Sequence, residues 1–100
     1  MHTTNSHNGI SIRLSSERWE HISQNHPELG GYLHDVLDTV CHPDELREGS
    51  AGEMLAIKSV EDGKFLIVVY RELSVDDGFV ITAFLSRRMN WLAKRRKVWL

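Results

Sequence analysis

Only one cysteine, Cys41, and two prolines, Pro27 and Pro43, occur in the 100 residues. A lone thiol cannot close an internal disulfide, so the fold has no covalent staple of its own, which fits a reducing compartment. No apolar run approaches the ~18 residues of a membrane span. The opening MHTTNSHNG has neither a basic start nor an apolar stretch to direct export. A cytoplasmic protein without membrane contact is expected. Paired cysteines and a glycine-flanked serine elbow are missing too, which leaves a zinc site and a serine hydrolase without support. His21 and His26 do not rescue the metal: five positions apart on a helix, they point about 140° away from each other. No cofactor is expected. Acidic residues are lacking at one end, because all 14 lie before Arg87.

What is present is the composition of an ordinary globular chain, 41% hydrophobic and 26% charged, with a formal net charge of -2. Such a length carries one core and two layers of secondary structure. A single domain over 10–100 is expected, preceded by a flexible, polar N-terminus over 1–9 in which His2 and His7 have no role. ISIRL, Ile10 to Leu14, alternates as a short strand does. Ser15 or Ser16 is a good N-cap for a helix that runs to about His26, where Pro27 interrupts it. Leu29, Leu33, Val36, Leu37 and Val40 are spaced as the buried stripe of a second helix. HPDELREGSAGE reads as loop. The strand signals EMLAIKSV, KFLIVVYREL and GFVITAFLS follow, separated by Asp62-Gly63 and Asp77-Gly78, dipeptides that favour hairpins. The expected fold is α+β, with N-terminal helices packed on a four-stranded antiparallel sheet and a basic C-terminal helix or arm.

That C-terminal segment holds Arg87, Arg88, Lys94, Arg95, Arg96 and Lys97, six of the 12 lysines and arginines, interleaved with Trp91 and Trp99. Cations beside aromatic rings suit a phosphate backbone and its bases. The bland reading is a solvated segment that complements the acidic remainder of the molecule.

Two-residue turns at both Asp-Gly steps would place Lys58 opposite Ile67, Met54 opposite Arg71 and Arg71 opposite Phe84. Lys58, Arg71, Thr82 and Ser86 then share one sheet face, while Leu55, Ile57, Leu66, Val68, Tyr70, Phe79, Ile81, Ala83 and Leu85 form the core face. Two histidines, His21 and His26, stand ready on the preceding helix. This inventory matches RNA cleavage without a metal: an imidazole moves protons near neutral pH, and lysine and arginine stabilise the charge gathering on the phosphorus oxygens.

RWEHISQNHPEL, CHPDELREG, GEMLAIKS, LIVVYRE and GFVITAFLS together resemble the phage-type branch of the barnase-EndoU-colicin-RelE-like nucleases, over nearly the whole chain from Ile10 to Trp99. The resemblance implies a metal-independent endoribonuclease, a toxin or phage-linked effector. Its candidate positions here are His21, His26, Lys58 and Thr82, to which the register adds Arg71. The implied partners are RNA and an inhibitor protein, antitoxin or immunity, whose acidic surface would cover Arg87 to Lys97. Each candidate also has a structural reading: His26 as a helix end, Lys58 as an exposed sheet charge, Thr82 as a strand former, Arg71 as a partner of Glu53 or Glu72. The rival function is a non-catalytic RNA-binding or protein-interaction module.

Overall fold

The computed structural model describes residues 1–61, 63–87, 90 and 94–99. Ser15 caps the first helix α1, Ser16–Asn25, its hydroxyl accepting the backbone N–H of Arg18 at 3.0 Å. Helix α1 ends at His26, whose N–H still reaches the Ile22 carbonyl, because Pro27 has no N–H with which to continue. A 3-10 turn, Pro27–Leu29, leads past Gly31, whose φ of +87° suits only glycine without strain. Helix α2, Leu33–Cys41, follows, with Val36 and Val40 buried and its Thr39 hydroxyl satisfied by the Asp35 carbonyl.

The strands are β1 (His2–Asn5), β2 (Ser11–Leu14), β3 (Glu45–Glu48), β4 (Met54–Glu61), β5 (Lys64–Glu72), β6 (Gly78–Ser86) and β7 (Arg96–Trp99). They form one sheet in the order β1-β2-β6-β5-β4-β3-β7. Only β2 and β6 run parallel, paired through Ile12 with Gly78 and Arg13 with Phe79. Gly78 is required there: a Cβ would sit 2.6 Å from Ile12 Cδ1 and 2.5 Å from the Arg71 carbonyl oxygen.

The expectation of helices on a four-stranded antiparallel sheet is thus corrected. Among the described residues the sheet has seven strands and is mixed, and the α-helices are two short ones of ten and nine residues. The strands that were missed are polar segments of four residues: HTTN within the N-terminus read as flexible, ELRE within a segment read as loop, and RKVW where a helix or arm was expected. They add to the sheet through backbone pairing and carry little apolar alternation by which to be recognised.

The register is corrected as well. Glu61 does pair with Lys64, but an irregularity between Ser59 and Glu61 shifts the rest of β4 by one residue, so Lys58 meets Leu66 and Met54 meets Tyr70. Asp77-Gly78 is not a two-residue turn. Strands β5 and β6 are joined by the longer segment 73–77, which sets Glu72 opposite Gly78 and Arg71 opposite Phe79. A second irregularity, at Ile81, returns Thr82 to Val69. Because a one-residue slip exchanges the faces of a strand, Lys58 moves to the helix side while Arg71, Thr82, Phe84 and Ser86 stay on the other.

Both faces bury apolar residues. Leu14, Ile22, Val36, Ala56, Leu66, Val68 and Tyr70 belong to the helix-side core. On the opposite face Leu55, Ile57 and Ile67 form a second cluster, with Phe65, Val69 and Phe84 packed against it. Phe79, expected in the core, lies with Arg71 on that second face.

Within the main core the Tyr70 hydroxyl has no hydrogen-bond partner among the described residues. Burial, and secondarily the charge of Glu72, pushes this phenol above the ordinary tyrosine range. Tyr70→Phe removes the orphan group and keeps the ring, so it is expected to raise stability by about 1 kcal/mol, read as a higher urea midpoint at unchanged slope. A lower midpoint would contradict this account of the hydroxyl.

Candidate active-site cleft

The sequence-nominated residues do not converge. Lys58 Nζ sits 2.7 Å from Asp38 Oδ2 and donates to the His42 carbonyl at 3.0 Å, which ties β4 to the end of α2 on the helix side. Arg71, on the other face, donates through Nη2 to the Ala51 carbonyl at 2.9 Å. That contact steadies the β3–β4 loop, where the Ala51 N–H bonds Glu53 Oε1 and holds this carboxyl below its usual range, with the Arg71 charge helping less. Thr82 shares the Arg71 face, so the sheet itself separates both from Lys58. A single site containing Lys58, Arg71 and Thr82 is therefore ruled out by the β4 irregularity.

His21 is exposed on α1, its Nε2 3.2 Å from the Asn25 side-chain amide. His26 is the C-cap of that helix. Its ring centroid is 6.1 Å from that of Phe84, at a tilt of 35°, and its Nδ1 is 3.7 Å from Glu28 Oε2.

Glu28 opens onto a cleft of about 250 Å³ lined also by Lys64, Leu85, Ser86 and Arg87. Three sequence events build it. Pro27 ends α1 and turns Glu28 back over the sheet through the 3-10 turn. Gly63, at φ +68°, turns the chain tightly into β5, so that Lys64 is its first residue. The pairing of Phe65 with Ser86 then brings the end of β6 beside the start of β5, with Arg87 following. Lys64 Nζ also meets Glu61 Oε1 at 3.3 Å. The cleft is thus lined by a carboxylate, an ammonium, a hydroxyl and a guanidinium, and the His26 imidazole stands behind that carboxylate, outside the lining itself. Such a set can hold an anion with two cationic donors.

Of these residues the sequence had nominated His26 for chemistry and Arg87 for RNA binding. It had placed Ser86 on the polar face and had missed Glu28 and Lys64. The available signal was position: Glu28 two residues after the helix-ending histidine, and Lys64 directly after a hairpin glycine.

The remaining tail cations are spread along the far edge of the sheet. Arg96 Nη1 is 3.8 Å from Glu48, and Lys97 Nζ is 3.8 Å from Glu45. The Arg95 carbonyl accepts from Arg47 Nη1 at 2.9 Å, and Lys94 is exposed. With the Arg96 side chain 78% exposed, such pairs contribute little to stability. Arg88 and Trp91 lie outside the described residues. Near the start of β6, Arg13 Nε and Nη2 each meet an Asp77 carboxylate oxygen at 3.0 Å, which holds the Asp77 carboxyl below and the Arg13 guanidinium above their ordinary ranges.

Among the described residues no three His, Cys, Asp or Glu side chains converge as a metal-binding group, and no helix is long and apolar enough to cross a membrane. Compared with protein-family models, curated proteins and solved structures, the chain matches none.

Lys58 in this structure is a fastener. Lys58→Met is expected to cost no more than about 1 kcal/mol of stability, and a double-mutant cycle with Asp38→Asn to give a coupling near 0.5 kcal/mol. Zero coupling would refute a stabilising pair.

For Asp77 the sign follows from a lowered folded-state value: its contribution to stability is present above the ordinary carboxylate range and lost as pH falls through that lowered value. The carboxyl resonance of Asp77 should therefore titrate below the usual aspartate range, and Arg13→Ala should return it there.

Proposed function

We propose that this chain is a metal-independent endoribonuclease, a cytoplasmic toxin or phage-linked effector of the kind its sequence resembles, working at the cleft between the 3-10 turn and the ends of β5 and β6. The observation that carries this reading is the cleft lined by Glu28, Lys64, Ser86 and Arg87, with the His26 imidazole 3.7 Å from Glu28.

In RNA cleavage by internal attack, the ribose 2′-oxygen loses its proton and forms a bond to phosphorus. The phosphorus–5′-oxygen bond then breaks, and the leaving 5′-oxygen takes a proton. In this reading the His26 imidazole exchanges one of those protons and Glu28 stabilises the imidazole when it is charged. Lys64 and Arg87 face the phosphate, where their charge offsets the extra negative charge of the transition state. Ser86 adds a hydroxyl donor. Arg96 and Lys97, exposed on the edge strand β7, would assist the approach of RNA and offer an acidic inhibitor protein a place to dock.

One observation favours the rival, a non-catalytic RNA-binding or protein-interaction module. The full reaction uses a base and an acid, and among the described residues His26 approaches the cleft only through Glu28, while His21 borders a different depression.

Incubating the purified chain with end-labelled structured RNA in the presence of a chelator separates the two. The expected outcome is cleavage by the parent, reduced about 10²- to 10⁴-fold by His26→Ala and about 10²-fold by Lys64→Ala with unchanged thermal melting. A folded parent that binds many RNAs and cleaves none would establish the binding module instead.

A further inference from the structure

The pairing of β2 with β6 stops at Phe79, and α1 also contacts β6, among the described residues. Two depressions open where β2, α1 and β6 meet. One, of about 140 Å³, is lined by Met1, Arg13, Ser15, Arg18, Phe79 and Val80. The other, of about 400 Å³, is bordered by Ser15, Glu17, Arg18 and His21. Ser15 and Arg18 belong to both, so Arg18 stands on the rim between them.

The chemistry of the smaller depression is specific. Arg13 is gripped by both carboxylate oxygens of Asp77 and lies over the Phe79 ring, 5.9 Å from its centroid. A guanidinium fixed at two points and backed by an aromatic ring is a rigid platform whose charge is already compensated. Nucleobases stack on such planes, whether aromatic or guanidinium. The volume is below the ~300 Å³ at which ordinary ligand pockets begin, which suits one flat ring better than a larger metabolite. The Arg18 guanidinium, in contrast, has no ion-pair partner among the described residues and is exposed. It is a cation available to a phosphate. Glu17 on the wider depression disfavours a second phosphate there and leaves room for a sugar or for a base amino group.

We propose that Arg13, Phe79 and Arg18 form an accessory subsite for single-stranded RNA, with a base on the Arg13–Phe79 platform and the adjoining phosphate on Arg18. The proposal rests on the ribonuclease reading, because it places the subsite at one end of β6 and the reactive cleft at the other. Phe79 and Ser86 are separated by roughly 23 Å at the ~3.3 Å rise of a strand. The span between them is long enough for several nucleotides. It gives the enzyme a grip on its substrate away from the reacting phosphate.

The test uses the full chain carrying His26→Ala, to suppress cleavage, and a fluorescein-labelled oligouridylate followed by anisotropy over a range of salt. Adding Arg18→Ala should weaken binding at least threefold and make the log–log salt slope shallower by about 0.7, the value for one phosphate contact on a single strand. Adding Phe79→Ala should weaken it roughly fivefold to a hundredfold. Phe79→Leu retains apolar packing without an aromatic face and should weaken binding too, which guards against misfolding as the cause. Unchanged affinity and slope in these variants, with binding lost in Lys64→Ala, would overturn the subsite and leave the cleft reading standing. Absence of RNA binding by the folded His26→Ala chain at low salt would overturn both. Weakened binding in the variants of a parent that never cleaves RNA would keep the subsite and remove the nuclease.

Discussion

The fold hangs on the pairing of β5 with β4 on one side and β6 on the other. Strand β5 is central, and Leu66, Ile67 and Val68 are wholly buried although successive residues point to opposite faces. A strand buried on both faces must be apolar throughout, which explains the unbroken FLIVVY. It also makes the edges of the molecule free to vary. Once this ladder forms, the helices need cover only one face, and short polar strands can be added at the margins by backbone hydrogen bonds alone. The cleft depends on the same ladder, since Lys64, Ser86 and Arg87 are the residues at which it ends.

The consequence for sequence reading is specific. The caps of α1, the buried stripe of α2, the long strands β4 to β6 and the turn at Gly63 all leave side-chain signatures, and each was legible. Two-sided burial erases the alternation that fixes parity, so MLAI and FLIVVY do not reveal which residues face the helices. The irregularities at Val60 and Ile81 decide that parity, yet they involve single residues with no glycine to mark them. The β1, β3 and β7 segments are invisible for a related reason, being short strands held by backbone pairing, β1 to β2, β3 to β4 and β7 to β3, with little side-chain alternation to mark them.

The same logic explains where the candidate residues lie. Lys58 was selected by its face, and a shift of one residue changed its face. His26 and Arg87 were selected by type at the ends of elements, and ends are fixed by proline, glycine and strand length more firmly than faces are fixed by alternation. Glu28 and Lys64 joined them by tertiary proximity that no local spacing encodes. Polar residues able to do chemistry have thus gathered at the tips of the ladder, where burial of apolar surface no longer dictates composition.

The parallel contact between β2 and β6 joins residues 66 positions apart, Ile12 to Gly78 and Arg13 to Phe79. Such a closure is late in the life of a growing chain. During synthesis Ile12 and Leu14, fully buried in the finished molecule, have no strand besides β1 to lie against until Gly78 and Phe79 have emerged. The β1–β2 hairpin therefore waits until β6 is made for its place in the sheet. Docking it also completes the surroundings of Arg13, Phe79 and Arg18, so the proposed RNA subsite is absent from the nascent protein until β6 has emerged.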